Sequence, residues 1–359
     1  MRTLLITKEY PPFKGGVANY YYNLAKNFHM GNDFLVFDNK DKKLDSDKGF
    51  FSWRRSFKSV YDKIKKEEIS HVLVGQVLPL GTVVFCLSFV LPIKYTVFFH
   101  GLDLSLALKP GRKKFLTKLI IKRAYKLVAA NSFVAHTLTD NFPQKKDVIK
   151  VVNPGISLAD YNLDFNKQEL REKYQTKDKI VLFSLGRLVK RKGFDYTIKA
   201  LEKMSEAQIN NLVYFIAGAG EEREYLESLV PQRLKNVIIF LGEVREKEKK
   251  ELLFLCDIFI MPARDIAGDY EGFGIVYLEA NIFSKPVIAG LSGGVGDAVI
   301  NNKTGLLINP EDIMAIKDSI LVLKNDKNLR LKLGQQGRDR VMQEFSWKKL
   351  AKDLFYFIK

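Results

Sequence analysis

The chain has 359 residues, enough for two domains of ordinary size, each with its own core. Apolar residues make up 47% and charged residues 28%, and no low-complexity stretch occurs, which excludes a disordered chain. Lysine and arginine exceed aspartate and glutamate by 58 to 41, a formal charge of +17 that points to nucleic acid, anionic lipid or phosphorylated substrates as partners.

In chain order, the opening MRTLLITKEYPP has too short an apolar run for a signal peptide and breaks at Pro11-Pro12. Short β-rich runs then alternate with helical patterns, the mark of a parallel sheet covered by helices. The first series is Thr3–Thr7, Phe34–Asp38, His71–Gly75, Tyr95–His100, Lys126–Asn131 and Val148–Asn153. Within it, Val77 to Ile93 carries Pro79, Gly81 and Pro92 and falls just short of the roughly 20 residues of a membrane span, so it reads as a buried helix. A polar stretch, Ser157 to Lys179, reads as a linker. The second series is Lys179–Gly186, Asn211–Gly218, Val237–Gly242, Ile258–Ala263, Pro286–Gly290 and Gly305–Asn309. Val341 to Lys359 reads as a final helix with Trp347, Leu350, Leu354 and Ile358 along one stripe. Cys86 and Cys256 follow no metal or redox spacing, so the expected compartment is the reducing cytosol.

Two such series make two doubly wound domains, whose ligands bind beyond the carboxyl ends of the strands. Each domain has a glycine turn after its first strand. In YPPFKGGV, Gly15 and Gly16 would let a ligand approach backbone N–H groups at a helix start; taken alone the signal is weak, and a plain turn accounts for it. In GRLVKRKG, Arg187 follows a strand and Lys192 precedes Gly193, two cations suited to a leaving diphosphate. The competing reading of that loop is a solvated basic turn with Lys190 and Arg191.

In DYEGFGIVYLEA, Glu271 and Glu279 stand eight residues apart, the second on a helix that Gly274 opens. Up to about 12 Å along such a helix is too far for a retaining glycosidase pair and suits a long ligand spanning hexose and ribose. A further glycine turn, Ser292-Gly293-Gly294, follows the next strand. His100, ending its strand before Gly101, is the histidine singled out of four. Asp45-Ser46-Asp47 mimics a DxD metal signature but sits in a lysine-rich loop with no strand before it, and no metal role is assigned.

Lys109 to Lys126 carries eight basic and no acidic residues. Lys114, Lys118 and Lys122 repeat at i+4 beside the stripe Leu116, Ile120 and Ala124, a cationic amphipathic helix able to lie on anionic lipid. The alternative is an ordinary helix with its basic face in water. Nucleic acid is set aside, because no recognition module accompanies the charge.

These motifs together resemble the retaining GT-B glycosyltransferases of family 4. The resemblance runs over nearly the whole chain, through PPFKGG, FHG, Asn131-Ser132, VNPGI, GRLVKRKG, AGAGEE, LGEV, the Glu271 and Glu279 pair, SGG, TGLLI and the closing FSW. Within the family it is most similar to GDP-mannose-dependent phosphatidylinositol-mannoside mannosyltransferases. The resemblance implies two Rossmann-like domains facing across a cleft. They are an acceptor domain, 1–165, and a donor domain, 166–340, with a helix, 341–359, crossing back to the first.

It further implies that His100, Arg187, Lys192 and Glu271 act on the reacting sugar and its diphosphate. Gly15, Gly16, Val244, Phe273, Gly274, Ile275 and Glu279 would hold the donor. His100 would lie near the sugar's 6-hydroxyl, Glu279 at the ribose and Val244 beside the base. Lys113, Lys114, Lys118, Lys122 and Arg123 would contact a membrane from the cytoplasmic side. No cofactor or metal is expected. The reaction implied is hexose transfer, from GDP-mannose first, to a lipid-linked or glycan acceptor.

Two departures stand out: a proline in VNPGI, so Asn153 takes no role, and Asp297 where many relatives carry glutamate. The alternatives are a UDP-hexose or UDP-N-acetylhexosamine donor on the same fold, a sugar-nucleotide epimerase, and a non-catalytic basic protein binding membrane or nucleic acid.

Overall fold

The computed structural model describes residues 2–13, 15–28, 34–44, 53–161 and 163–359. Asp45-Ser46-Asp47 lies outside them. The chain separates into two compact units, Met1–Gly155 with Phe345–Lys359, and Ile156–Glu344.

The first unit holds β1 (Thr3–Ile6), β2 (Phe34–Phe37), β3 (His71–Val74), β4 (Lys94–Phe99), β5 (Lys126–Ala129) and β6 (Ile149–Val151). They form one sheet in the order β2-β1-β3-β4-β5-β6, with all neighbours parallel. The second unit holds β7 (Ile180–Leu185), β8 (Leu212–Ala217), β9 (Ile238–Gly242), β10 (Ile258–Met261), β11 (Val287–Gly290) and β12 (Gly305–Ile308). Their order is β12-β11-β10-β7-β8-β9, again parallel throughout. Every apolar run read as a strand is a strand. The reason is burial on both faces: strands such as Leu212–Ala217 are buried at every position, so they need unbroken apolar sequence.

The strand order decides where ligands meet each sheet. In the second sheet the direction of winding reverses between β7 and β10, and the chains leaving those two strands diverge to open a crevice. The corresponding reversal in the first sheet lies between β1 and β3. The glycine-containing loops after β1 and β7 therefore start at the two switch points.

Val77 to Ile93 is a short helix, Leu80–Leu87, with its flanks, and no helix among the described residues is long and apolar enough to cross a membrane. The polar stretch after Val151 is folded rather than slack. Its Lys167–Lys173 helix buries Leu170, and Arg171 donates to both Asp257 carboxylate oxygens at 3.2 and 3.1 Å, tying the stretch to the second unit. That is why the units divide at Gly155, ahead of residue 165.

The last helix begins at Trp347, not Val341. Val341 belongs to the preceding Lys327–Glu344 helix, and Ser346 starts a new one by accepting the Lys349 N–H. The stripe holds: Trp347, Leu350, Leu354 and Ile358 are buried against Tyr20, Tyr21, Leu24 and Phe28 of the first unit. The closing helix thus returns to the amino-terminal sheet, as its resemblance implied.

Candidate functional site

At the β7–β10 switch point the loop GRLVKRKG makes a tight turn, Lys190–Lys192, before the Phe194–Glu202 helix. Gly193 closes that turn with φ of 73°, and a Cβ there would lie 2.1 Å from the Pro262 carbonyl oxygen. Only glycine lets the loop press against the end of β10. The turn folds the Lys192 side chain back over Gly186 and into the structure, where 11% of it is exposed. Arg187 stays at the surface, with no ion pair among the described residues.

From β10 comes the other half. Lys192 Nζ lies 2.6 Å from Glu271 Oε2, and Arg191 Nη1 lies 2.6 Å from the same oxygen. Arg191 Nε also reaches Asp269 at 3.2 Å. Burial pushes the Glu271 carboxyl up, but the Lys192 ammonium and then the Arg191 guanidinium more than offset it and hold it below its usual range. Glu271 Oε1 makes no hydrogen bond among the described residues. The carboxylate is thus oriented through one oxygen and open through the other.

From the sequence, Arg191 figured only in the competing reading of a solvated basic turn; the structure sets it on two carboxylates. Its only sequence signal was membership of the loop. Arg191→Met is expected to raise the Glu271 pKa. Because ionised Glu271 is the form held by the cations, the acid limb of a kcat/KM profile shifts to higher pH. An unmoved limb would remove Arg191 from the site.

The loop itself is braced from behind. Arg264 forms a two-pronged bond with Asp195, Nη1 to Oδ1 at 3.0 Å and Nη2 to Oδ2 at 3.1 Å, both side chains buried. The Arg264 backbone N–H donates to the Arg191 carbonyl at 2.8 Å. Neither residue had been singled out, since 69 residues separate them.

Gly274 opens the Ile275–Ile282 helix in a left-handed conformation, φ 78°, where a Cβ would strike the Tyr277 ring at 2.2 Å. No side chain caps this helix start. The Tyr277 N–H donates to the Gly274 carbonyl at 2.9 Å, so among the described residues it is the Ile275 and Val276 N–H groups that are left for solvent or an anionic ligand. Phe273 is buried beside it and Ile275 half-buried. The Ser292–Gly294 loop leans on the same segment, the Gly294 N–H donating to the Glu271 carbonyl at 3.0 Å. Asp297 follows in the short Val295–Ala298 helix.

Glu279 repeats the logic of Glu271. Its Oε1 accepts from the Tyr161 hydroxyl at 2.6 Å and from Lys249 at 2.9 Å, while Oε2 makes no hydrogen bond among the described residues. Burial lowers the Lys249 pKa, but Glu279 and Glu246 outweigh it and keep the ammonium charged. Tyr161, from the supposed linker, and Lys249, from a helix rich in charge, carried no legible signal. Val244 is half-buried between β9 and the Glu246–Leu255 helix.

In the first unit, β4 delivers His100 to its carboxyl edge, where Nε2 lies 2.7 Å from the Tyr21 hydroxyl. Burial lowers its pKa against the opposing pull of Asp103, so the ring is neutral at neutral pH. Gly15 is extended, φ 167°, and a Cβ on Gly16, the first residue of the Gly16–Asn27 helix, would touch nothing within 4 Å. Neither glycine is demanded by backbone strain, and open space lies before Gly16.

The basic stretch forms the Arg112–Arg123 helix, burying Thr117, Ile120 and Ile121. Lys113, Lys118 and Lys122 are exposed and Lys114 half-buried, with Phe115 63% exposed among them. Arg123 is exposed as well, and it donates to the Ser88 hydroxyl and carbonyl, each at 2.7 Å, and lies over the Phe89 ring.

Residues 166–340 match the family described as Glycosyl transferases group 1. A GDP-mannose-dependent monoacylated alpha-(1-6)-phosphatidylinositol monomannoside mannosyltransferase of Corynebacterium glutamicum is 29% identical over 384 residues, covering 98% of this chain and 96% of that one. A GDP-mannose-dependent alpha-(1-6)-phosphatidylinositol monomannoside mannosyltransferase of Mycolicibacterium smegmatis is 24% identical over 373 residues, covering 96% and 95%. Among solved structures, a glycosyltransferase from Rickettsia africae superposes with a TM-score of 0.82 at 19% identity, covering 100% of this chain and 98% of that one. HepE of Anabaena, in complex with UDP, superposes with a TM-score of 0.77 at 17% identity and 99% coverage of both. Residues 166–340 thus form a group 1 glycosyl transferase domain, and the chain is a glycosyltransferase built on two parallel α/β sheets of the GT-B fold.

Proposed function

We propose that the protein moves a mannosyl unit from GDP-mannose, with retention at the anomeric carbon, to a lipid-linked or glycan acceptor at an anionic membrane surface. The observation carrying the donor site is the paired design of Glu271 and Glu279. Each has one oxygen held by a cation and the other left open, on either side of an uncapped helix start. Such an arrangement suits a ligand with hydroxyls at both ends and phosphates between. Glu271 takes the hexose, Glu279 the ribose, and the N–H groups at Phe273, Gly274 and Ile275 the diphosphate, with the base beside Val244.

Arg187 and Lys192 stabilise the charge that grows on the diphosphate as the bond from the anomeric carbon to its oxygen breaks. The acceptor oxygen bonds to that carbon on the same face, and its proton passes to the departing phosphate. A sugar contact is assigned to His100, Gly15 and Gly16 on the resemblance alone. The mannoside relatives support the choice of donor; the UDP complex of HepE keeps a UDP-hexose as the second reading.

The test is a donor panel of GDP-mannose, UDP-glucose, UDP-N-acetylglucosamine and ADP-glucose, read by hydrolysis and thermal shift, with and without EDTA. A response selective for GDP-mannose and indifferent to EDTA supports the reading. Selectivity for a UDP-sugar, or dependence on a metal, overturns that part of it. Product NMR decides retention, through the anomeric configuration. For the membrane, Lys113, Lys118 and Lys122 beside Phe115 support contact. Co-sedimentation should be strong with anionic vesicles and weak with neutral ones; equal binding to both would refute it.

A further inference from the structure

The Tyr21 hydroxyl stands at the centre of a short chain of hydrogen bonds in the first unit. It donates to the Gly75 carbonyl at 2.7 Å, and His100 Nε2 lies 2.7 Å from it on the other side. A hydroxyl has one proton, and a carbonyl can only accept. Gly75 is a fixed acceptor: its N–H is tied to the Ile6 carbonyl at 2.8 Å, and a Cβ there would lie 2.8 Å from Thr7 Cβ. The Tyr21 proton is therefore spent on Gly75, and the bond to His100 exists only if the imidazole supplies its own proton from Nε2.

We propose that Tyr21 is a positioning residue that locks His100 as the Nε2–H tautomer. His100 then meets substrate through a bare Nδ1, which accepts a sugar hydroxyl and refuses a carboxylate or phosphate oxygen.

The surroundings support a single form of the ring. Tyr21 is fully buried, and burial pushes its pKa far above the usual range, so the hydroxyl keeps its proton. Tyr20 and Tyr21 hold the imidazole edge-on, with ring centres 5.0 and 5.2 Å away. The backbone N–H of His100 donates to Asp103 Oδ1 at 2.9 Å, which fixes the residue along the strand end. Nδ1 makes no hydrogen bond among the described residues. The facing carboxylate, Asp103, favours a charged ring, but burial outweighs it. A neutral ring with a bare nitrogen offers a lone pair and nothing else, so an anionic group brought against it has no proton to share and is repelled.

The selectivity rests on the reading above that His100 lies along the donor sugar; the tautomer does not. Histidine-labelled full-length protein at neutral pH, read by long-range ¹H–¹⁵N correlation and assigned with His100→Gln, should show the Nε2–H form. An Nδ1–H form, or an average of the two, would overturn the proposal without any donor being added.

In Tyr21→Phe, folded by thermal shift, the spectrum should move toward the average. The kcat for a neutral hexose donor should fall roughly tenfold, with little change in KM. A variant that keeps the wild-type tautomer refutes the role of Tyr21. Wild-type enzyme should use the matching hexuronate donor at least about a hundredfold less well, and equal use refutes the selectivity. A correct tautomer with none of the tested sugar donors turned over would refute the proposed donor reading instead.

Discussion

Lys192→Ala is expected to lower kcat roughly a thousandfold, the size found when one preorganised donor is removed from developing charge. The geometry makes this the largest kinetic effect in the molecule. Lys192 is a buried ammonium held at 2.6 Å from Glu271, not a solvated lysine that a neighbour or ion could replace. Its positive charge is already desolvated and aimed before substrate arrives, so little reorganisation is left for the reaction step.

The competing explanation is that the mutation acts through Glu271, which loses one of its two cations. Arg191 remains on the same oxygen, at 2.6 Å, and keeps that carboxylate ionised. Adding Glu271→Gln to Lys192→Ala separates the two. If Lys192 serves the leaving group, the double variant is no faster than the single one. Recovery of most of the rate would mean that Lys192 only neutralises Glu271. Arg187→Ala should also slow turnover, and unchanged rates in both single variants would sink the leaving-group assignment.

The second large effect concerns stability. Asp195→Ala should cost about 3–5 kcal/mol, because it leaves the Arg264 guanidinium buried without its partner. For a unit of this size that lowers the melting midpoint by on the order of 10 °C. Arg264 rests on the Tyr196 ring at 4.4 Å, which cannot replace two charge-assisted hydrogen bonds. Donor affinity should fall as well, since the Arg264 backbone holds the Arg191 carbonyl.

The double variant Asp195→Ala with Arg264→Met should regain most of the lost stability, as buried pairs replaced together by apolar groups commonly do. It should not regain all of the affinity, because the loop loses its brace. Calorimetry on the single variant, the double variant and wild type tests this, and a single variant as stable as wild type would show that the pair does not stabilise the core.

Much of this architecture is readable from local sequence because its signals are local. A strand buried on both faces has to be apolar throughout, so central runs such as Leu212–Ala217 announce themselves, and the half-buried edge strands keep enough apolar residues to be read with them. A helix seated on a core has to repeat its apolar residues, so Trp347, Leu350, Leu354 and Ile358 were visible as one stripe. The glycines at 193 and 274 mark turns that no other residue fits. The start of the final helix was misread because a serine cap looks like any polar interruption.

The functional pairs are of another kind. Local pattern determined the strands, the turns, Arg187, Lys192 and Glu271 in the loops, and Glu279 on the helix that follows. Tertiary structure alone decided that Arg191 and not Lys190 turns inward, that Asp195 meets Arg264, and that Tyr161 reaches Glu279. It also gave Tyr21, which reads as an ordinary core tyrosine, its bond to His100. The physical reason is distance along the chain. Hydrophobic periodicity is written in neighbouring residues, whereas an ion pair or a shared proton depends on which loop ends the winding of the sheet brings together.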